Sequence, residues 1–440
     1  MSPAAISDPK WTTVSRRLVK PDVGRDPECM ELTPLDFLFT DLFSSYLFLY
    51  KRGSEGAEIG ALDVDGLIRS LSKTLVHFYP LAGRLIKNPE DGSVRLHCND
   101  AGAVWIHKRY DGLLSDVLDE SNFQPDERFS GLADTIPRDQ EVYDPSGRPA
   151  LIVQVAEFQC GTTVLSPSWS HMVADGFSAL HFLKSWAEIS RGESISLVPN
   201  HNRSLLAVKK ACKPAEDCSS LRSLNLTPQT ACRKLAYSKR RIEELKAEAR
   251  GDGDGGARLS TASCFLGHLW RETLRAHDDL EPSRRSQVII LVDCRSRIQD
   301  FPAGFFGNCL AMASVGANVG DLLSKPLQFA ASAVHEAMRT VDEDTIGQLI
   351  ASLFRDPLCL LAEPFDTTHT LSCSWMMRFP FYELDFGSGI PTNILRNIPS
   401  RTIVEMFYVF PRSPASSGPG DLVLVAEGDG RILSKFGDDQ

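Results

Sequence analysis

Two rhythms of apolar and polar positions alternate along the chain. From Val64 to Phe78, apolar residues fall at Val64, Leu67, Ile68, Leu71, Leu75 and Phe78. That spacing lines one face of an α-helix, and Tyr79-Pro80 stops it before PLAGRL. Residues 14–50 read as extended segments, with FSSYLFLY (43–50) a strand rich in aromatic and apolar side chains. Ser93–Cys98 and Ala103–His107 alternate as short strands. ALIVQVAEF (150–158) is a longer strand, and Cys160-Gly161 turns it back into an apolar run that ends at Ser170. A helical pattern follows Asp175-Gly176, with apolar residues at Ala179, Phe182, Leu183, Trp186 and Ile189 and a closing Gly192. Asp175 is placed to cap that helix, because its short carboxylate can accept from the first free N–H groups.

Residues 111–147 are polar and rich in Pro and Asp, which predicts a long surface connection with a short helix. Residues 199–229 are polar without a sustained period and read as a linker between an N-terminal lobe (1–198) and a C-terminal lobe (230–440). The second half opens with a helix capped at Ser238 (SKRRIEELKAEAR) and ended by the acidic loop GDGDGG (251–256). Leu259–His277 is a helix with Phe265, Leu266, Leu269, Trp270 and Leu274 on one face. Gln287–Asp293 is a buried strand, Leu327–Val341 a helix, and Thr402–Phe410 with Asp421–Glu427 a closing antiparallel pair. Alternation of helices and strands through both halves predicts an α/β fold with mixed sheets. At 440 residues the chain exceeds one ordinary core, so two domains are expected.

A net charge of −10, with no basic stripe interleaved with aromatics, argues against nucleic acid as a partner. No apolar run reaches the length of a membrane span. The N-terminus lacks a hydrophobic signal core and KFGDDQ is no retention address, so a cytoplasmic, reducing location is expected. The eleven cysteines agree: they are scattered, odd in number and form no C-x-x-C pair. The histidines are equally dispersed, so no metal site is expected. Neither a G-x-x-x-x-G-K-[ST] loop nor a strand-borne G-x-G-x-x-G is present, which removes most support for nucleotide-driven or nicotinamide chemistry.

The chemistry concentrates at His171. It stands on the turn between the strand ending at Ser170 and the helix after Asp175, the kind of strand end where α/β proteins place reactive groups. A histidine there can serve as a general base near neutral pH, or simply hold a satisfied hydrogen bond at the edge of the core. H-x-x-x-D-G alone does not choose between these.

Taken together, YPLAGRL (79–85), HMVADG (171–176), VDCRSR (292–297), FFGNC (305–309) and DFGSG (385–389) resemble, in order and spacing, the BAHD family of plant-type acyl-CoA-dependent acyltransferases. The likeness covers nearly the whole chain. The histidine motif alone is shared with chloramphenicol and carnitine acyltransferases and with condensation domains; the full set is specific. The resemblance implies two pseudo-symmetric, chloramphenicol acetyltransferase-like lobes with a tunnel between them. His171 would sit at its middle, taking a proton from an alcohol or amine acceptor that attacks the thioester in a ternary complex. It further implies acyl-CoA as co-substrate, no permanently bound cofactor, and a monomer.

Residue by residue, the likeness implies that Asp385 joins His171 as a catalytic acid–base or holds its loop, and that Asp175 pairs with Arg295 rather than orienting the imidazole. Arg295 also reads as an ordinary charge at a strand end. Gly176 belongs to the histidine motif; Gly387 and Gly389 permit backbone angles that a Cβ would forbid. Ser388 is a departure: the family usually carries tryptophan there, so this chain lacks an indole donor and ring area and offers a smaller hydroxyl instead. Ser260 and Thr261, at a helix start, match a CoA-facing segment or are simple caps; Ser374 and Trp375 resemble a segment near the pantetheine arm, with Trp375 also readable as core. Ser44, Tyr46 and Phe48 share one face of their strand and match acceptor-lining positions, and Arg378 stands where some members bind an acceptor carboxylate. These matches imply transfer of a hydroxycinnamoyl or other aromatic acyl group. The altered DFGSG leaves an alternative, an inactive relative acting as an accessory protein in fatty-acid elongation.

Overall fold

The computed structural model describes residues 10–39, 42–51, 62–88, 93–118, 147–206, 230–250, 258–278, 280–355, 369–396, 404–414 and 420–436. Its first half contains β1 (Trp11–Val19), β2 (Glu28–Met30), β3 (Phe43–Tyr50), α1 (Val64–His77), β4 (Arg84–Lys87), β5 (Val94–Cys98), β6 (Ala103–Tyr110), β7 (Arg148–Pro149), β8 (Leu151–Phe158), β9 (Thr163–Ser170) and α2 (Gly176–Ser190). The second half contains β10 (Thr230–Tyr237), α3 (Lys239–Arg250), α4 (Thr261–Arg275), β11 (Arg285–Asp293), β12 (Leu310–Asn318), α5 (Val319–Ser324), α6 (Leu327–Arg339) and α7 (Glu343–Arg355). It closes with β13 (Thr370–Trp375), β14 (Asn393–Arg396), β15 (Glu405–Pro411), β16 (Leu422–Asp429) and α8 (Gly430–Leu433).

These strands build two six-stranded mixed sheets, ordered β1-β6-β8-β9-β3-β14 and β10-β16-β15-β13-β11-β12, and a small four-stranded sheet β2-β5-β4-β7. The fold is therefore α/β with mixed sheets. In the first sheet β6 and β8 run parallel; in the second, β11, β13 and β15 do. Central strands β8 and β9 are buried along nearly their whole length because both faces are covered. Glu157 near the end of β8 is the one charged residue, half-buried against His107 and Arg109, whereas β11 alternates buried with less buried positions. The last strand of the first sheet, β14, comes from the second half of the sequence and pairs antiparallel with β3.

One core gathers Leu47, Phe48, Leu71, Trp105, Leu183 and Trp186 beneath α1 and α2. The other gathers Leu266, Trp270, Val288 and Phe407 beneath α4 and α6. Adjacent aromatics in the loop before β12 tie them together, Phe306 packing in the first core and Phe305 in the second. The predicted helices and strands recur within a few residues of their expected bounds, with two corrections. The stretch expected to be extended through residue 50 turns into a short 3-10 helix at Asp36–Phe39, where Thr33 N donates to the Asp36 carboxylate. The strand at 287–293 is buried on alternate residues only. Loop 251–256, most of 111–147 and 207–229 of the expected linker lie outside the described residues.

Candidate active site

His171 follows directly on β9, where its backbone N–H donates to Leu42 O at 2.8 Å. Its ring stacks on Phe39, with centroids 3.9 Å apart. Imidazole Nδ1 lies 3.1 Å from Asn308 Oδ1. The Asn308 amide Nδ2 donates to His171 O at 2.7 Å and to Asp36 Oδ1 at 2.8 Å. With Nδ2 committed to two oxygens, the carbonyl end of Asn308 must face the ring, so the neutral imidazole carries its proton on Nδ1 and leaves a lone pair on Nε2. Burial pushes the His171 pKa down to about 4, with the Asp175 carboxylate opposing and the Arg396 charge assisting. The ring is neutral at pH 7.

Behind Asn308 stands Asp36, fully buried, which accepts from Arg203 Nη1 at 2.9 and 2.7 Å and from Thr33 N at 2.7 Å. Arg203 Nη2 also donates to Val173 O at 2.8 Å, fixing the turn after His171. A lone carboxylate inside a core needs such a partner. Three groups far apart in sequence thus hold one ring.

Asp175 does not touch the imidazole. Its Oδ1 accepts from Ser178 N at 2.9 Å, the expected cap of α2. It also forms a two-pronged pair with Arg295, Nη1 to Oδ2 at 2.8 Å and Nη2 to Oδ1 at 3.0 Å. Cys309 N donates to Oδ2 at 3.0 Å. Burial alone would raise this carboxyl, but the Arg295 charge and these donors outweigh it and hold the pKa below the usual value. Arg295 is buried too and donates further to Ser178 Oγ and Gly307 O, each at 2.9 Å. At Gly176, the first residue of α2, a Cβ would come within 2.9 Å of the Phe379 ring.

The DFGSG loop is organised by Asp385, whose Oδ1 accepts from Gly387 N at 2.8 Å and Gly389 N at 2.9 Å. Both glycines adopt left-handed φ, +96° and +94°, which favours the absence of a Cβ. Arg191 Nη1 donates to the Asp385 backbone oxygen. No described contact joins Asp385 or the half-buried Ser388 to His171.

Ser260 spends its oxygen on capping α4, accepting from Ser263 N at 3.0 Å; Thr261 is the first residue of that helix. Ser374 and Trp375 end β13, half-buried, with Trp375 edge-on to Phe265 at 6.0 Å. Ser44, Tyr46 and Phe48 are buried. Tyr46 lies among Trp169 (5.6 Å), Phe381 (5.2 Å) and Phe410 (6.1 Å). Arg378 is exposed. The motif reading of His171, Asp175 and Arg295 did not extend to Asn308, Asp36, Arg203 or Ser178. The available signal was a single charge in an apolar setting, as in LTPLDFLF, and Asn308 inside FFGNC.

No described helix is long and apolar enough to cross a membrane, and the described residues hold no cluster of three metal-ligating side chains.

The chain is similar in sequence and in fold to known proteins. A hydroxycinnamoyl-CoA:5-hydroxyanthranilate N-hydroxycinnamoyltransferase of Avena sativa is 31% identical over 369 residues, covering 78% of this chain and 81% of its own. Shikimate O-hydroxycinnamoyltransferase of Nicotiana tabacum is 28% identical over 395 residues, covering 85% and 87%. Vinorine synthase shares the fold, with a TM-score of 0.75 over 97% of each chain at 21% identity. The profile of the transferase family matches residues 10–436, and with nearly the whole chain inside that match, the protein belongs to the BAHD acyl-CoA-dependent acyltransferases.

Proposed function

We propose that this protein transfers an aromatic, hydroxycinnamoyl-type acyl group from CoA to a small alcohol or amine, with His171 as the base. The observation that carries the reading is the hydrogen bond between Nδ1 and Asn308, which leaves Nε2 unprotonated on a ring that burial keeps neutral. A thioester carbonyl is already reactive, so the missing element is a deprotonated nucleophile. As the acceptor oxygen or nitrogen attacks the carbonyl carbon, its proton passes to Nε2. The tetrahedral intermediate then expels the CoA thiolate, which takes that proton back. An imidazole with depressed pKa is a weak base but a ready acid, which suits the second half of the cycle. Both substrates must be present together, since no nucleophile of the chain is required to carry the acyl group. The names of the relatives, which use hydroxycinnamoyl donors with an O- and an N-acceptor, support the donor class.

The accessory-protein alternative rests on Ser388 in place of tryptophan. One assay separates the two: thiol release from p-coumaroyl-CoA and from aliphatic acyl-CoAs with pooled phenolic, amine and alcohol acceptors. Transfer should fall by about 10²- to 10⁴-fold in His171→Ala, the usual contribution of a positioned base. No turnover above that variant with any pair would leave the accessory role standing.

A further inference from the structure

At the far end of β14, the chain buries a charge pair that the transfer chemistry does not use. Arg396 is 7% exposed and Glu427 is fully buried. They come from different sheets, Arg396 from the edge of the first and Glu427 from β16 of the second. Arg396 Nε donates to Glu427 Oε1 at 3.1 Å, and its guanidinium lies 3.8 Å from the centre of the Tyr408 ring. Across the ladder Arg396 faces Tyr46, so the two side chains leave the sheet on the same side. This is the side on which Tyr46 meets Trp169, two residues before His171.

The hydrogen bonds of this pair do not balance. Glu427 Oε2 is buried and has no donor, and among the described residues neither Nη1 nor Nη2 of Arg396 has an acceptor. Burying two charges is costly even when every lone pair and proton is used, and a buried oxygen without a donor, such as Glu427 Oε2, calls for a specific explanation. We propose that Arg396 and Glu427 form a recognition site for a hydroxyl group of the substrate. The pair is neutral overall, so a carboxylate would meet Glu427 and an ammonium would meet Arg396 without compensation. A hydroxyl satisfies both at once, its oxygen accepting from an Nη–H and its proton going to Oε2. The Arg396 charge also reaches His171, whose protonation it opposes, which sets the pair within electrostatic range of the candidate base.

The hydroxyl could belong to the acyl group or to the acceptor, and this assignment rests on the transferase reading. The test is titration calorimetry on the full chain with two matched pairs: p-coumaroyl-CoA against cinnamoyl-CoA, and, with free CoA present, 5-hydroxyanthranilate against anthranilate. The wild type should favour the hydroxylated member of one pair by about 10- to 100-fold, because a site built for a hydroxyl rejects the analogue that lacks it. Single substitutions would strand a buried charge, so the variant is Arg396→Met/Glu427→Leu, which removes both together. It should keep the wild-type circular dichroism spectrum and reduce the preference to less than about threefold. Preference within the CoA esters assigns the site to the acyl group; preference within the anthranilates assigns it to the acceptor. No preference in either pair, or a preference the double variant retains, means that water alone fills the site and overturns the proposal. Binding does not require turnover, so preference without acyl transfer would leave the site standing and remove the transferase reading, while transfer without preference would do the reverse. Failure to bind either ester or either acceptor would overturn both.

Discussion

His171 and Asn308 are joined twice, ring Nδ1 to Oδ1 at 3.1 Å and amide Nδ2 to the histidine's own carbonyl at 2.7 Å. The second bond orients the amide so that the first can only be an N–H donation from the ring. Tautomer and ring angle are therefore set by one residue from the other half of the sequence, itself held by Asp36 and Arg203. Asn308→Ala should lower kcat/KM by about 10- to 100-fold, part of what a positioned base supplies, while the Kd for the CoA ester stays within about twofold. A variant with unchanged kcat/KM would mean that the ring needs no such anchor.

Asp175 and Arg295 are both buried, so removing one leaves the other stranded. Asp175→Ala should cost about 3–5 kcal/mol, whereas removing both charges in Asp175→Ala/Arg295→Met should recover part of that loss. Chemical denaturation of the wild type, both single variants and the double variant measures the coupling. Additive losses would show that the pair contributes no more than two independent residues.

Asp385 discriminates between holding a loop and moving a proton. Its Oδ1 accepts two backbone N–H groups, and the Oδ1 of an asparagine can accept the same two. Asp385→Asn should keep kcat within about fivefold, while Asp385→Ala should lose the loop and most of the activity. A drop of about 100-fold or more in the folded asparagine variant would assign the carboxylate to proton transfer.

Acid should destabilise the fold through its buried histidines. Burial pushes His171, His201, His268 and His277 each down to about 4. In the unfolded chain these rings titrate near 6.5. Between the two values the unfolded state binds more protons, so stability falls as pH drops from about 6.5 to 4, by at most about 1.4 kcal/mol per unit for each ring. Buried Glu405, raised to about 7, and Glu427, also raised, act in the opposite sense, since their stabilisation is lost as pH rises above the carboxylate range. Four rings outweigh two carboxyls. Thermal melts should show Tm falling more between pH 6.5 and 4.5 than between 8.5 and 6.5; a flat profile below 6.5 would contradict the burial of these rings.

Periodicity made most elements legible because the signal is local. The α1 face repeats Leu67, Leu71 and Leu75, and the burial follows it residue by residue. Asp175 was readable as a cap for the same reason, and its link to Arg295 through family likeness. What the linear pattern could not carry was pairing at a distance. Asp36 looks like one charge in an apolar run, and Arg203 falls in a stretch without period, yet they meet behind Asn308. Arg396 and Glu427 likewise sit in ordinary strand sequence, and only the arrangement of the two sheets brings them together. Ser260 illustrates the converse. A helix-start hydroxyl reads equally as cap or anion ligand, and here the oxygen accepts from Ser263 N.

The pairing of β14 with β3 has a consequence for synthesis on the ribosome. The other strands of the first sheet emerge by residue 170, but its last strand is translated only at residues 393–396, long after β3. Until then, the hydrogen-bonding edge of FSSYLFLY is an open, apolar template in the nascent chain, the kind of edge that recruits foreign strands. Premature termination anywhere before residue 393 should therefore yield aggregating fragments rather than a soluble half-molecule.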